Sequence, residues 1–219
     1  MVRVNVGGFV FGGVRAELVS GFWIDPILSD VWDDFDSYDD GAITTNTNWT
    51  ITSYGETVTA EGIATIIAST INPSGKELEI YSHGDGTGGP KKGSMTATTN
   101  TLVDNRHLHF KYKWDTKTTG NLDPYSRITI AVGNATDGWT NVEYHAIADD
   151  TVGKTGAGIC FVVAKGSDVY DVYIAGVPTE VTLTNGLKVM LLSECDQDNT
   201  TGLAYIWVDD FRQSTIDVA

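Results

Sequence analysis

The chain has 219 residues, a length at which a folded domain buries roughly 70% of the surface that its unfolded form exposes. Because 41% of the residues are hydrophobic, a core can form without a stabilising metal or disulfide. Its formal net charge is −15, and this acidic balance disfavours nucleic acids and anionic membranes as partners. The sequence has no run of about 18 consecutive apolar residues, which excludes a membrane-spanning helix.

Residues 1 to 30 are predicted to form an extended N-terminal arm. Valine alternates with polar residues from Val2 to Val6, which indicates a strand, and glycines and bulky aromatic residues follow. The arm can pack on its own domain, or it can dock on a neighbouring subunit by strand addition. Its glycines, together with Arg15 and Glu17, interrupt the apolar run, so we recognise no cleavable signal peptide.

Residues 31 to 219 are predicted to form one all-β domain. Short segments rich in β-branched and aromatic residues alternate with turn signals such as Asp137-Gly138 and Asn185-Gly186. This spacing is typical of an antiparallel sandwich or barrel, and the absence of a fixed repeat disfavours a propeller. The predicted strands are Trp49–Thr52, Gly62–Ala68, Glu77–Tyr81, Ser94–Thr98, Leu108–Trp114, Arg127–Val132, Val142–Ile147, Ile159–Ala164, Val169–Ile174, Lys188–Leu192 and Leu203–Val208.

Two aromatic and acidic segments at opposite ends of this domain carry a family resemblance. The first runs from Trp32 to Gly41 and precedes the strand Trp49-Thr50-Ile51, and the second runs from Gly202 to Arg212. Together they resemble the concanavalin-like and laminin-G-like jelly-roll domains over roughly Asp33 to Ser214. The resemblance implies an antiparallel two-sheet jelly-roll sandwich whose first and last strands lie side by side. It does not choose a function, because such domains include lectins, glycan-binding modules, glycosidases, lyases and viral coat or fibre domains.

The same resemblance draws attention to acidic residues near the two ends of the domain. Many jelly-roll glycan-binding modules hold a structural Ca²⁺ where the chain ends meet. Asp34 and Asp36 would approach Asp209 and Asp210 if the terminal strands pair, and carboxylates are the ligands that Ca²⁺ prefers. These four residues are therefore candidate calcium ligands. The alternative is that they are solvated turn carboxylates without a metal.

Paired carboxylates on one strand would be the sign of a glycosidase site in this sequence. One large group of glycosidases of this fold class carries Glu-x-Asp-x-x-Glu on a single strand, which aims three carboxylates at the substrate. The nearest match is Glu77-Leu78-Glu79, which lacks the third carboxylate. We expect these two glutamates to lie on a solvent-facing strand edge, and we predict no catalytic residues and no enzymatic activity.

Aromatic residues near loops are the candidates for sugar contact. Trp139 follows an Asp-Gly turn and Tyr125 follows Asp123-Pro124, so both are placed near loop tips where a glycan could stack. Most other aromatic residues, including Trp207 and Phe211, are expected in the core.

The two cysteines, Cys160 and Cys195, both lie in apolar segments predicted to be strands. Two buried free thiols are the favoured interpretation. A disulfide is the alternative, and it requires neighbouring strands with suitable Cβ geometry.

The leading functional hypothesis is a non-enzymatic structural or adhesive protein of a virion, such as a capsid decoration, head or tail-fibre component. Residues 1 to 30 would join it to further copies of itself or to other virion subunits, and it would be located in the virion or outside the cell. No nucleic-acid or membrane partner is expected. The first alternative is a carbohydrate-binding module or lectin. The second is a polysaccharide hydrolase or lyase whose site the motifs do not reveal.

Overall fold

The computed structural model describes thirteen segments of the chain. They are residues 10–11, 14–15, 17–19, 22–24, 29–55, 61–83, 91–100, 107–119, 125–146, 160–164, 169–174, 186–197 and 201–214. Within these segments the regular structure consists of strands alone. The strands are β1 (Val10–Phe11), β2 (Val14–Arg15), β3 (Glu17–Val19), β4 (Phe22–Ile24), β5 (Ser29–Asp33), β6 (Gly41–Ala42), β7 (Trp49–Gly55), β8 (Glu61–Ala68), β9 (Lys76–His83), β10 (Lys91–Thr99), β11 (His107–Thr119), β12 (Tyr125–Asn134), β13 (Gly138–Ala146), β14 (Cys160–Ala164), β15 (Tyr170–Ile174), β16 (Lys188–Gln197) and β17 (Thr201–Ser214).

Two antiparallel sheets form the body of the protein. The larger has the order β14-β15-β11-β17-β9-β8-β6, with β5 beside the end of β17, and the smaller has the order β13-β12-β16-β10-β7. Among the described strands, consecutive ones lie in different sheets at eight steps, which are β6 to β7, β7 to β8, β9 to β10, β10 to β11, β11 to β12, β13 to β14, β15 to β16 and β16 to β17. β16 lies between β12 and β10, and β17 lies between β11 and β9. Both late strands are therefore inserted between strands that come earlier in the sequence. This is a jelly-roll sandwich, so the predicted fold class is confirmed, and each strand predicted after residue 31 coincides with an observed strand over its described residues, except that β15 begins just after Val169.

The core lies between the two sheets and follows the two-residue alternation of their strands. Ile80 of β9 and Ile206 of β17 are fully buried from the larger sheet, and Leu191 of β16 is fully buried from the smaller. Two buried hydroxyls also meet across the core, because Ser82 and Ser193 lie 2.8 Å apart. Each of these two hydroxyls thus has a partner, which offsets the cost of removing it from water.

The sheets approach closely at Gly62 of β8. A Cβ atom at this position would lie 2.1 Å from the backbone oxygen of Ser94 on β10. Only glycine allows two backbones to come so near to each other. Gly62 therefore fixes the spacing of the sandwich next to the serine pair.

Asp33, at the end of β5, ties the two sheets together. Its buried carboxylate accepts hydrogen bonds from the backbone N–H of Phe35 (2.9 Å), the phenol of Tyr38 (2.8 Å), the amide of Asn48 (3.1 Å) and the indole of Trp49 (2.8 Å). Burial and the neighbouring carboxylate raise the pKa of Tyr38. Because Trp49 begins β7, this network joins the larger sheet to the smaller one.

The first strand of the sandwich pairs with the last, as the family resemblance implies. β5 lies antiparallel to the end of β17, from Ser29 opposite Ser214 to Asp33 opposite Phe211. The preceding part of β17 pairs with β9 instead. The change of partner occurs at a bulge, where Asp210 adopts a positive φ of 56°.

Part of the predicted N-terminal arm is described. β1 pairs with β2, and β3 pairs with β4, both antiparallel. The segment from Val2 to Val6 lies outside the described residues. Among the residues that are described, no helix has the length and apolar character needed to cross a membrane.

Candidate functional site

The face of the larger sheet that points away from the core carries a concentration of aromatic and charged side chains. We call it the outer face. Its position follows from strand alternation, because the residues between the buried ones on β8, β9, β17 and β11 are partly exposed. Register places two rows of side chains across these four strands. The first row is Ile63, Tyr81, Tyr205 and Asp115, and the second is Thr65, Glu79, Trp207 and Lys113.

Four rings of the outer face stack on one another and form what we call the aromatic column. The ring centroids of His83 and Tyr81 are 6.3 Å apart, and those of Tyr81 and Tyr205 are 5.2 Å apart. Tyr205 and Trp207 lie 5.1 Å apart with an interplanar angle of 2°. Alternate residues of one strand, and opposite residues of neighbouring strands, stand close enough for such stacking. The column therefore crosses from β9 to β17 as one continuous aromatic surface.

Trp207, at one end of the column, is held from three sides. Its indole N–H donates to Oε2 of Glu79 at 2.7 Å, and Tyr205 covers one ring face. The ammonium of Lys113 lies 5.2 Å from the ring centroid and also donates to Oγ1 of Thr70 at 2.8 Å. Cation–π attraction and a hydrogen bond to a charged acceptor both fix the indole. This ring is therefore oriented before any ligand arrives.

The chemistry of the outer face suits a ligand with many hydroxyl groups. The partly exposed aromatic rings can remove the C–H groups of a ligand from water. The carboxylates of Glu79 and Asp115 accept hydrogen bonds from hydroxyls, and the ammonium of Lys113 donates them. Aromatic area with a few convergent polar groups is the usual composition of a binding site.

Two buried carboxylates lie one row further along the same strands. Glu77 on β9 and Asp209 on β17 are 0% and 2% exposed. The hydroxyl of Ser69 lies 3.0 Å from a carboxylate oxygen of Glu77 and 2.9 Å from one of Asp209. Glu77 also accepts hydrogen bonds from the backbone and hydroxyl of Thr70. The expectation that Glu77 faces solvent is wrong, because the loop after β8 covers it. β9 is an interior strand of the sheet and not an edge.

Burial raises the pKa of Asp209 to about 6, against the hydrogen bonds from Ser69 and from the backbone of Asp210. The negative charges of Asp210 and Glu77 act in the same direction as burial. Removing a carboxylate from water disfavours its charged form. Asp209 therefore keeps its proton at mildly acidic pH.

The candidate calcium ligands near the start of the domain are used within their own loop. Oδ1 of Asp34 accepts the backbone N–H of Asp36 at 3.2 Å. Oδ1 of Asp36 accepts the backbone N–H of Lys76 at 2.7 Å. These contacts stabilise the turn between β5 and β6 and join it to the start of β9.

The candidate ligands near the end of the domain have other partners. Asp210 forms ion pairs with Lys111 (2.8 Å) and Arg212 (2.5 Å). Burial would raise the pKa of Asp210, but the charges and hydrogen bonds of Lys111 and Arg212 lower it below its usual range. Both carboxylate oxygens of Asp210 are thus paired with cations, Oδ2 with Lys111 and Oδ1 with Arg212. In the described part of the chain, no three His, Cys, Asp or Glu side chains are grouped to hold a metal. A structural calcium ion at these residues stays a prediction.

The two sequence-predicted sugar contacts both lie on the smaller sheet. Tyr125 is the first residue of β12, and its side chain is outside the described set. Trp139 is partly exposed on β13, opposite Gly133. Eight residues separate position 125 from position 133 on β12, or about 27 Å at ~3.4 Å per residue. The structure does not bring the two positions together.

The site missed by sequence reasoning lies on β9 and β17. Phe211 is fully buried, as expected, but the expectation that Trp207 belongs to the core is wrong, because it is partly exposed on the outer face. The available signal was alternation. Glu79, Tyr81 and His83 share one face of β9, and Tyr205 shares a face of β17 with Trp207.

Cys195 is buried on β16, in agreement with its predicted place in an apolar strand. Cys160 is the first residue of β14, and its side chain is outside the described set. The two positions belong to different sheets.

A groove also opens where the two sheets part at their edges, between β7 and β8. Its apolar lining includes Ile43, Ile51, Ile63 and Met95. Its described lining has no charged or aromatic side chain. The groove therefore lacks the polar groups that would orient a ligand, and the outer face is the better candidate site.

The chain is similar in structure to several solved β-sandwich proteins, while no protein-family model and no curated protein matches it. One similar structure is the enzymatically active domain of bacteriophage CBA120 tailspike protein 4, with a TM-score of 0.41 and 12% identity. That match covers 88% of this chain but only 22% of the tailspike chain.

Two carbohydrate-binding modules are also similar to this chain. One is a family 11 module from Clostridium thermocellum in complex with a β-1,3-1,4-mixed-linked tetrasaccharide, with a TM-score of 0.37, 14% identity and coverage of 85% and 95% of the two chains. The other is a module in complex with β-1,4-galactotriose, with a TM-score of 0.33, 8% identity and coverage of 75% and 86%. At these identities and scores, the likenesses carry no functional argument.

Proposed function

We propose that this protein is a non-catalytic carbohydrate-binding β-sandwich that holds its glycan on the outer face of the larger sheet. The observation that carries the proposal is the aromatic column. Tyr81, Tyr205 and Trp207 stack in line, and Glu79 and Lys113 fix the ring at one end.

The arrangement of the outer face favours recognition of a sugar. A sugar offers both C–H surface and hydroxyls, and the outer face offers aromatic area with both acceptors and a donor beside it. The rings are already packed against each other, so little side-chain freedom is lost when a ligand binds. Such preorganisation raises affinity by lowering the entropic cost of binding.

The proposal is tested by retention on a panel of insoluble polysaccharides. We expect the intact chain to be retained by at least one of them. Trp207→Ala and Tyr205→Ala should each weaken retention by about tenfold or more, because aromatic anchors commonly contribute over 1 kcal/mol to binding. Tyr54→Ala is the matched control, since Tyr54 is an exposed aromatic residue on β7 of the smaller sheet.

Two results would overturn the proposal. One is the absence of retention across the panel. The other is equal weakening by Tyr54→Ala and Trp207→Ala, which would place binding elsewhere. Release of soluble sugars from a retaining polysaccharide would contradict the non-catalytic part alone.

Assembly through the N-terminal segment is a second candidate function. Among the described residues before β5, β1 pairs with β2 and β3 with β4, and neither pair joins the two large sheets. In the described part of this segment, the strands therefore pair with each other. We propose that residues 1 to 28 join copies of the chain to each other, as in a virion component.

Light scattering of the full chain and of a chain starting at Ser29 tests this second candidate. The shortened chain keeps β5, which pairs with β17. We expect a defined oligomer for the full chain and a monomer for the shortened one. A monomer in both cases would exclude assembly through this segment.

A further inference from the structure

We propose that the glycan held by the outer face is uncharged. This inference rests on the proposed function and adds the class of sugar to it. A neutral hexose chain fits the charges around the aromatic column, whereas a polymer of uronic acids or sulfated sugars does not.

The charges beside the column are predominantly negative. Among their described side chains, the two rows that hold Tyr81, Tyr205 and Trp207 carry the carboxylates of Glu79 and Asp115 and the single ammonium of Lys113. The adjoining row of the same face adds the carboxylates of Glu77 and Asp209 and one ammonium, that of Lys111. The whole chain adds a field of the same sign, with 29 acidic against 14 basic residues. Each carboxylate of an anionic glycan would therefore meet like charge.

The nearby cations are already engaged. The ammonium of Lys113 lies over the indole of Trp207 and donates to Thr70. In the adjoining part of the sheet, Lys111 and Arg212 both pair with Asp210. An anionic ligand would meet only cations that already interact with other groups, so it would gain less from them than from cations without such partners. A ligand hydroxyl can still donate to Glu79 or Asp115, because each carboxylate oxygen can accept more than one hydrogen bond.

The test uses matched pairs of oligosaccharides and the full chain. β-1,4-Glucan, β-1,4-mannan and β-1,4-galactan oligomers are each compared with the same oligomer oxidised at C6 to the uronate, so that charge is the main difference within a pair. Binding is measured by calorimetry at low and high sodium chloride concentration. We expect the neutral member of the bound pair to bind at least about tenfold more tightly. We also expect salt to change its affinity by less than about twofold, because screening acts on charged ligands.

The results separate this inference from the proposed function. Tighter binding of an oxidised member, weakened by salt, would overturn the inference and leave glycan binding intact. No binding by any pair or by the polysaccharide panel would overturn both. As a further check, Asp115→Lys should raise the affinity for the uronate oligomer at low salt by about tenfold. An unchanged uronate affinity in this variant would contradict the charge argument.

Discussion

At the scale of single residues, Trp207 shows how a partly exposed ring is held for binding. Its indole N–H is satisfied by Glu79, and its faces meet Tyr205 and the ammonium of Lys113. We infer that Glu79 has a positioning role, because it orients the indole in addition to offering an acceptor to ligand hydroxyls. Fixing a ring in advance lowers the entropy that is lost on binding.

Exchanging Glu79 tests this role. Glu79→Ala removes the acceptor and should weaken glycan binding about three- to tenfold, in line with the loss of one hydrogen bond of ~1 kcal/mol. Glu79→Gln keeps an acceptor for the indole and should restore most of the affinity. Calorimetric titration of both variants measures the difference. Equal loss in the two variants would show that the charge of Glu79, and not its position, matters.

Asp209 is the second residue whose surroundings predict a measurable effect. Its folded-state pKa of about 6 lies above its ordinary value of 3.8, mainly because of burial. The folded protein therefore binds this proton more tightly than the unfolded chain does. By linkage, the contribution of Asp209 to the free energy of unfolding is fully present below about pH 4 and is lost as the pH rises to about 6.

We predict that Asp209→Asn abolishes the fall in the free energy of unfolding that Asp209 causes as the pH rises. The amide can accept the backbone N–H of Asp210 and donate to Ser69, so the contacts persist without the buried charge. At pH 8 the variant should be more stable than the natural chain by at most about 3 kcal/mol, because each pKa unit corresponds to ~1.4 kcal/mol. Denaturant unfolding from pH 4 to pH 8 measures the effect.

Asp39→Asn is the control for this experiment. It removes the same charge from an exposed position. Similar stabilisation by both variants at pH 8 would assign the effect to the net charge of −15 and not to burial at Asp209.

At the scale of elements, the edge strand β7 is protected against pairing with other molecules. The backbone N–H and C=O of Ile51 both bond to the hydroxyl of Thr45, at 3.0 and 3.2 Å. Oδ1 of Asn46 accepts the backbone N–H of Trp49 at 2.9 Å, and the backbone N–H of Asn46 donates to the carbonyl of Trp49 at 2.9 Å. Unpaired edges are templates for aggregation, and native proteins commonly cover them. The loop before β7 fulfils this role here.

Thr45→Val should therefore promote self-association. The substitution keeps the shape of the side chain and removes its hydrogen bonds to Ile51, which leaves the edge open. We expect a faster rise of light scattering on mild heating. Thr44→Val is the matched control, because Thr44 is an exposed neighbour. Indistinguishable behaviour of the two variants would refute the protective role of Thr45.

The strands were predictable from the sequence, but the side of the sheet that carries the site was only partly so. On β9, polar Glu79 alternates with apolar Leu78 and Ile80, so the buried face is evident. On β17, apolar residues occupy both faces, with Tyr205 and Trp207 on one and Ile206 on the other. Alternation there cannot tell which face is buried. Only the pairing of β17 between β11 and β9, which distant parts of the chain determine, places Trp207 outward.

At the scale of the whole molecule, the order of the sheets creates the candidate site. The last strand, β17, enters the larger sheet between β11 and β9 and brings its rings beside those of β9. The predicted contacts Tyr125 and Trp139 belong to the other sheet. The outer face and the smaller sheet are therefore competing locations for the same activity, and a single experiment can distinguish them.

The most direct measurement follows the indole N–H signals of Trp207 and Trp139 by nuclear magnetic resonance while a retained glycan is added to the isotope-labelled full chain. Trp207→Phe and Trp139→Phe assign the two signals. Binding on the outer face predicts that the Trp207 signal moves with saturation while the Trp139 signal stays in place. Movement of the Trp139 signal alone would contradict the account and locate the glycan on the smaller sheet.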